Sequence, residues 1–220
     1  WNAANIAAVT PQATLTINIQ PGTYTVQGNN LNNFTNPDGA RIKFVGSPSD
    51  ASQVVMNFTA DSLSGFVIRD GGVLTMGGFT MNLPTDGTGA IKTASPYGKN
   101  IWNSSSPTAI EVRGNVSTLI NYEAIVIHGF PIGLVSWMEG RYCCGGLSVD
   151  TAQVGILAYE SGYIRCSRCS ISATGDANIG VGGAVSPGSN ALIIIDGAEV
   201  NNISGYGFYA YIGGIISSPP

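Results

Sequence analysis

The chain has 220 residues, 44% of them hydrophobic and only 10% charged, with 30 Gly and 11 Pro. A net charge of −4, with nine Lys and Arg, excludes non-specific attraction to nucleic acid or an anionic membrane. No run approaches the ~20 apolar residues of a membrane-spanning helix, so membrane insertion is not expected. Helix signals are nearly absent, and the glycine content points to one large all-β domain that needs no disulfide framework. The chain starts at Trp1 without Met or an apolar leader and reads as a processed or excised piece.

In chain order, a strand is predicted from Thr14 to Ile19. The turn Gln20-Pro21-Gly22 leads into a second strand, Thr23 to Val26. Asn36-Pro37-Asp38-Gly39 turns into Arg41 to Val45, and Gln53 to Phe58 follows. Residues 84 to 108 lack alternation and read as a loop excursion. The domain plan is therefore an opening coil or cap over 1–60, then coils over 61–220 interrupted at 84–108.

A repeat governs the second part. Small residues recur at Gly65, Ala109, Gly133, Gly155, Gly180 and Gly207, the last four spaced 22, 25 and 27 apart. The 44 residues from Gly65 to Ala109 leave room for two units. The next position reads Phe66, Ile110, Leu134, Ile156, Val181 and Phe208, so these side chains are expected inside. A second glycine follows at Gly140, Gly162 and Gly188. Short strands at this period predict a right-handed parallel β-helix of about 22–27 residues per coil. The alternative is a β-sandwich, which requires antiparallel hairpins.

Residues 17–26 (INIQPGTYTV) and 36–46 (NPDGARIKFVG) resemble the opening coil of bacteriophage tail-fibre and tailspike β-helices. The resemblance covers roughly residues 12 to 60. It implies a virion appendage, homotrimeric, that binds or cleaves host-surface polysaccharide. Pectate-lyase-like enzymes and surface adhesins share the general form, and no catalytic residue carries over.

Four positions past each repeat origin lie Arg69, Arg113, Trp137, Tyr159, Ala184 and Tyr211. Trp137, Tyr159 and Tyr211 are candidates for carbohydrate contact or for a trimer interface. Val67, Val135 and Leu157, two positions past the origins, sit on the same nominally wet face and favour the interface. Glu139 and Glu160 follow the aromatic pair and are the candidate acid and base of a polysaccharide-degrading enzyme; the alternative is a pair of solvated turn glutamates. Cys144 and Cys166 share an offset from Gly140 and Gly162 and read as stacked core thiols rather than a zinc site or disulfide. Such thiols suit folding in a reducing cytoplasm. His128, the only histidine, reads as a structural strand-end residue, since no spacing supplies a nucleophile and an orienting acid. Five Asn-x-Ser/Thr sequons, at Asn33, Asn57, Asn103, Asn115 and Asn202, are read as chance in a chain rich in these residues.

The expected function is a tail-fibre or tailspike protein that binds host polysaccharide. A glycoside hydrolase or lyase on the same fold is the alternative, and a bacterial or eukaryotic surface adhesin the next. No cofactor, no metal and no nucleic-acid partner are expected. The expected location is the virion, or otherwise the extracellular space or cell surface.

Overall fold

The computed structural model describes residues 2–26, 31, 33–59, 64–84, 107–143, 145–152, 154–172, 179–184, 190–202, 206–211 and 214–217. Within 179–184, 206–207 and 209–211 only the backbone is described. The described chain is mostly β, arranged in three sheets whose strand pairs are all parallel.

Sheet A contains Leu15–Asn18, Ile42–Val45, Val73–Gly77, Thr118–Asn121, Arg141–Cys143, Tyr163–Ser167, Leu192–Asp196 and Ile215–Ser217. Sheet B contains Gly22–Val26, Val54–Phe58, Phe79–Asn82, Ile125–His128, Leu147–Asp150, Ser170–Ser172 and Glu199–Asn201. Sheet C contains Ser64–Arg69, Thr108–Arg113, Ile132–Trp137, Val154–Tyr159, Ile179–Ala184 and Tyr206–Tyr211. From Ser64 onward the chain visits C, A and B in that order, and each strand pairs with its counterpart one circuit away. The hairpin-connected antiparallel strands of a sandwich are not seen among the described residues.

The register follows the repeat read from the sequence. Phe66 pairs with Ile110, Ile110 with Leu134, Leu134 with Ile156, Ile156 with Val181 and Val181 with Phe208. Phe66, Ile110, Leu134 and Ile156 are at most 1% exposed, and burying each such side chain stabilises the fold by about 1.5–3 kcal/mol. Phe208 departs from the expectation. It is 52% exposed, and its strand is the last of sheet C among the described residues. The 44 residues between Gly65 and Ala109 also hold one circuit rather than two, since Ser64–Arg69 pairs directly with Thr108–Arg113. Most of the expected excursion lies outside the described residues; Thr108 already begins a strand.

Close approach explains the small residue at the repeat origin. A Cβ on Gly133 would stand 2.5 Å from the Gly155 carbonyl oxygen. The NPDG turn has an equally local cause. Asn36 caps a 3-10 turn over Pro37–Arg41 by accepting from the Asp38 N–H at 2.9 Å. Its amide nitrogen donates to the Ala4 and Ala7 carbonyls, at 2.9 and 2.8 Å. These bonds tie down a five-residue helix, Asn2–Ile6, too short to leave a periodic signal. Gly39 lies where any Cβ would collide with the Val73 carbonyl.

The core thiol reading needs correction. Cys166 is buried, but it is disulfide-bonded to Cys169, and Cys143 is disulfide-bonded as well. Left-handed Arg168, between strands of sheets A and B, turns the chain at this point, which strand alternation does not foretell. Cys144 lies outside the described residues.

Candidate functional site

The outer ladder at the end of the sheet C strands forms in the expected register. Arg69 pairs with Arg113, Arg113 with Trp137, Trp137 with Tyr159, Tyr159 with Ala184 and Ala184 with Tyr211. Trp137 and Tyr159 are half-buried neighbours. The Tyr211 side chain lies outside the described residues. The Arg113 guanidinium sits 5.5 Å from the centre of the Trp137 ring, a cation–π contact that occupies one indole face.

Beneath this ladder lies a residue that the sequence reading places in the row of Val67, Val135 and Leu157 but gives no role. Glu111 is 5% exposed on the face turned away from the core. Its Oε1 accepts from Arg113 at 2.9 Å and from the Trp137 Nε1–H at 3.0 Å. Its Oε2 accepts from the Ser64 hydroxyl at 3.4 Å. A buried carboxylate costs much free energy unless paired and hydrogen-bonded. Here it fixes both the arginine and the indole.

Val67, Val135 and Leu157, expected on a wet face, are 4%, 0% and 0% exposed within the single chain. They need no second copy to leave water. The argument for a lateral trimer interface therefore keeps only the half-exposed Trp137 and Tyr159.

The chain leaves sheet C for sheet A through turns of consecutive left-handed residues. Asp70 and Gly71 have φ of 54° and 85°, Met138 and Glu139 49° and 68°, and Glu160 and Ser161 43° and 65°. Gly114, Asn115 and Val116 form a longer version at 71°, 47° and 58°. Most of these are not glycine, and each non-glycine residue in this region costs about 1–2 kcal/mol. The turns border a concavity of about 620 Å³ lined by Arg69, Asp70, Arg113, Asn115, Trp137, Met138, Glu139, Glu160 and Ser161. A second concavity, about 670 Å³, shares Glu139 and Ser161 and adds Val116, Arg141 and Tyr163. Together they make a groove crossing several circuits.

Glu139 and Glu160 thus line one groove, but one turn position apart: Glu160 aligns with Met138, and Glu139 with Ser161. Glu139 is exposed. Arg113 is committed to Glu111 and Arg69 to Asp70, whose Oδ2 is 3.1 Å from Nε. The groove therefore presents charges of both signs rather than one strong field.

A second polar arrangement lies on sheet B. His128 Nδ1 is 2.5 Å from Asp150 Oδ1, which also accepts from the Thr151 hydroxyl at 2.9 Å. His128 and Asp150 are register partners 22 residues apart, the spacing from Gly133 to Gly155. The repeat therefore does supply the orienting acid that was expected to be missing. A nucleophile beside the ring is not among the contacts seen, and the pair lines none of the concavities described above.

Among the described residues, no group of three or more His, Cys, Asp or Glu is placed to hold a metal ion, and no helix is long and apolar enough to cross a membrane. The chain matches no family model, no curated protein and no solved structure. The likeness of residues 12 to 60 to tail-fibre coils rests on those residues alone.

Proposed function

We propose that the three sheets are the walls of a right-handed parallel β-helix belonging to a phage tail fibre or tailspike, and that its groove binds host-surface polysaccharide. Right-handed crossover between parallel strands is the rule in about 98% of cases, which supports the hand. One observation carries the binding reading. Glu139, Glu160 and Ser161 hold left-handed backbone on adjacent turns, where glycine would be cheaper, and all three line one elongated groove beside Trp137. Strain retained at side chains that share a groove supports the reading of a ligand site. Carboxylates and a hydroxyl suit sugar hydroxyls, and Trp137 and Tyr163 offer apolar surface to sugar rings. The mixed charge favours a polysaccharide of modest charge density.

An appendage location, in the virion or on another extracellular surface, accords with this reading. Lateral trimerisation through Trp137 and Tyr159 stays part of the proposal.

The second reading is catalysis by hydrolysis or elimination. Glu139 and Glu160, two carboxyl groups in one groove, favour it. Incubation with capsular or surface polysaccharides separates the two. New reducing ends or unsaturated uronates select the enzyme, and retention without products selects the binding module. The absence of both products and retention would overturn both readings.

A further inference from the structure

One position in sheet C breaks its own row. On the face turned away from the core, Val67 pairs with Glu111, Glu111 with Val135 and Val135 with Leu157. The three aliphatic side chains are at most 4% exposed, and Glu111 is as well buried as they are. A fourth aliphatic side chain would complete the row. Replacing a buried ion pair by apolar residues of similar volume is often neutral or stabilising, so packing alone does not call for a carboxylate here.

What the carboxylate does bring is the placement of two side chains that line the groove. Its Oε1 accepts from Arg113 Nη1 and from the Trp137 Nε1–H, and the Arg113 guanidinium lies over the indole ring. The indole is therefore held twice: at its edge by the carboxylate, and over one face by a guanidinium that the same oxygen anchors. The Ser64 hydroxyl, from the preceding circuit, donates to Oε2 and holds the carboxylate itself. Arg113 and Trp137 both border the concavity of about 620 Å³, whereas Glu111 stands behind them. A half-exposed tryptophan without such bonds would have to be ordered when a ligand stacks on it, and that ordering subtracts from affinity.

We propose that Glu111 is a positioning residue of the groove: it fixes the Trp137 indole, directly and through Arg113, at the angle at which the C–H face of one sugar ring stacks on it. The proposal rests on the polysaccharide reading of the groove. Glu111 does not touch the sugar. It acts through Trp137, so its effect on affinity depends on the indole N–H being there to hold.

A double-mutant cycle on affinity tests it, by calorimetric titration with short oligosaccharides cut from a capsular or surface polysaccharide that the chain retains. Circular dichroism checks that each variant is folded. Glu111→Gln should weaken binding by about threefold to tenfold, the equivalent of ordering one side chain on binding. Trp137→Phe, which keeps an aromatic face but lacks the N–H, should weaken it at least as much. The double variant should bind no more weakly than Trp137→Phe alone, because the two residues act as one unit. Losses that multiply in the double variant overturn the proposal, as does unchanged affinity in Glu111→Gln. If Glu111→Gln fails to fold, solvent exchange of the Trp137 indole N–H in the unaltered chain decides. Slow exchange with and without the oligosaccharide supports the proposal, and exchange as fast as that of an exposed indole overturns it. Retention of no polysaccharide by the unaltered chain marks a failure of the groove reading, and this proposal falls with it. Retention together with multiplying losses marks a failure of this proposal alone.

Discussion

Replacing Glu139 with glycine should stabilise the chain and impair ligand binding together. Glu139 holds φ at 68°, a conformation that costs a non-glycine residue about 1–2 kcal/mol. Glycine removes that strain but gives the unfolded chain more freedom, a loss of about 0.4–1 kcal/mol. Little else offsets the gain, since the Glu139 side chain is exposed. The net expectation is roughly 0.5–1 kcal/mol of stabilisation, with each kcal/mol raising the unfolding midpoint by roughly 2–4 °C at this length. Thermal unfolding by circular dichroism reads the first effect, and retention on immobilised polysaccharide reads the second. A lower midpoint would show that the strain argument is wrong. A higher midpoint with unchanged retention would show that strain at this turn has no bearing on the ligand.

Glu111→Gln should destabilise by about 1.5–3 kcal/mol, the range for a hydrogen bond to a charged group, because the carboxylate of the buried Glu111 side chain holds Arg113 and Trp137; urea unfolding that matches the unaltered chain would refute this. Gly162→Ala should cost about 1–3 kcal/mol, since its Cβ would collide with the Ser136 carbonyl of the preceding circuit; a midpoint no lower than the unaltered chain's would count against the packing described. Asp50 accepts from the Ser52 hydroxyl at 2.6 Å and the Ser52 N–H at 3.0 Å, which hold its carboxyl below the ordinary value of 3.8. Its contribution is present above that value and disappears as pH falls through the lower folded-state pKa. Asp50→Asn should therefore differ in midpoint from the unaltered chain near neutral pH, with the difference shrinking in acid; a difference that grows in acid would contradict the assignment.

Much of the architecture was legible because a repeated backbone geometry imposes a repeated sequence. The small residue at each origin marks a close approach between circuits, so counting from Gly133 or Gly155 found the Arg69 to Tyr211 ladder in its true register. Glu111 was not legible, because it stands alone among Val67, Val135 and Leu157 in its own ladder, and its partners Ser64 and Trp137 are 47 and 26 residues away. The His128 and Asp150 pair was within reach of the same counting, had the period been applied to polar residues as well as apolar ones. Burial of the outer aliphatic side chains was misread because alternation reports which face a residue takes, not what covers that face. The Cys166–Cys169 bond depends on the bend at Arg168, and no strand periodicity encodes that bend.

The claim that the groove between sheets C and A holds a polysaccharide is tested most directly by NMR titration with an oligosaccharide that the chain retains. The account predicts shifts at the Trp137 indole N–H and at the amides of Glu139, Ser161 and Tyr163, with sheet B unmoved. Shifts centred on His128 and Asp150, with the Trp137 indole unchanged, would contradict it.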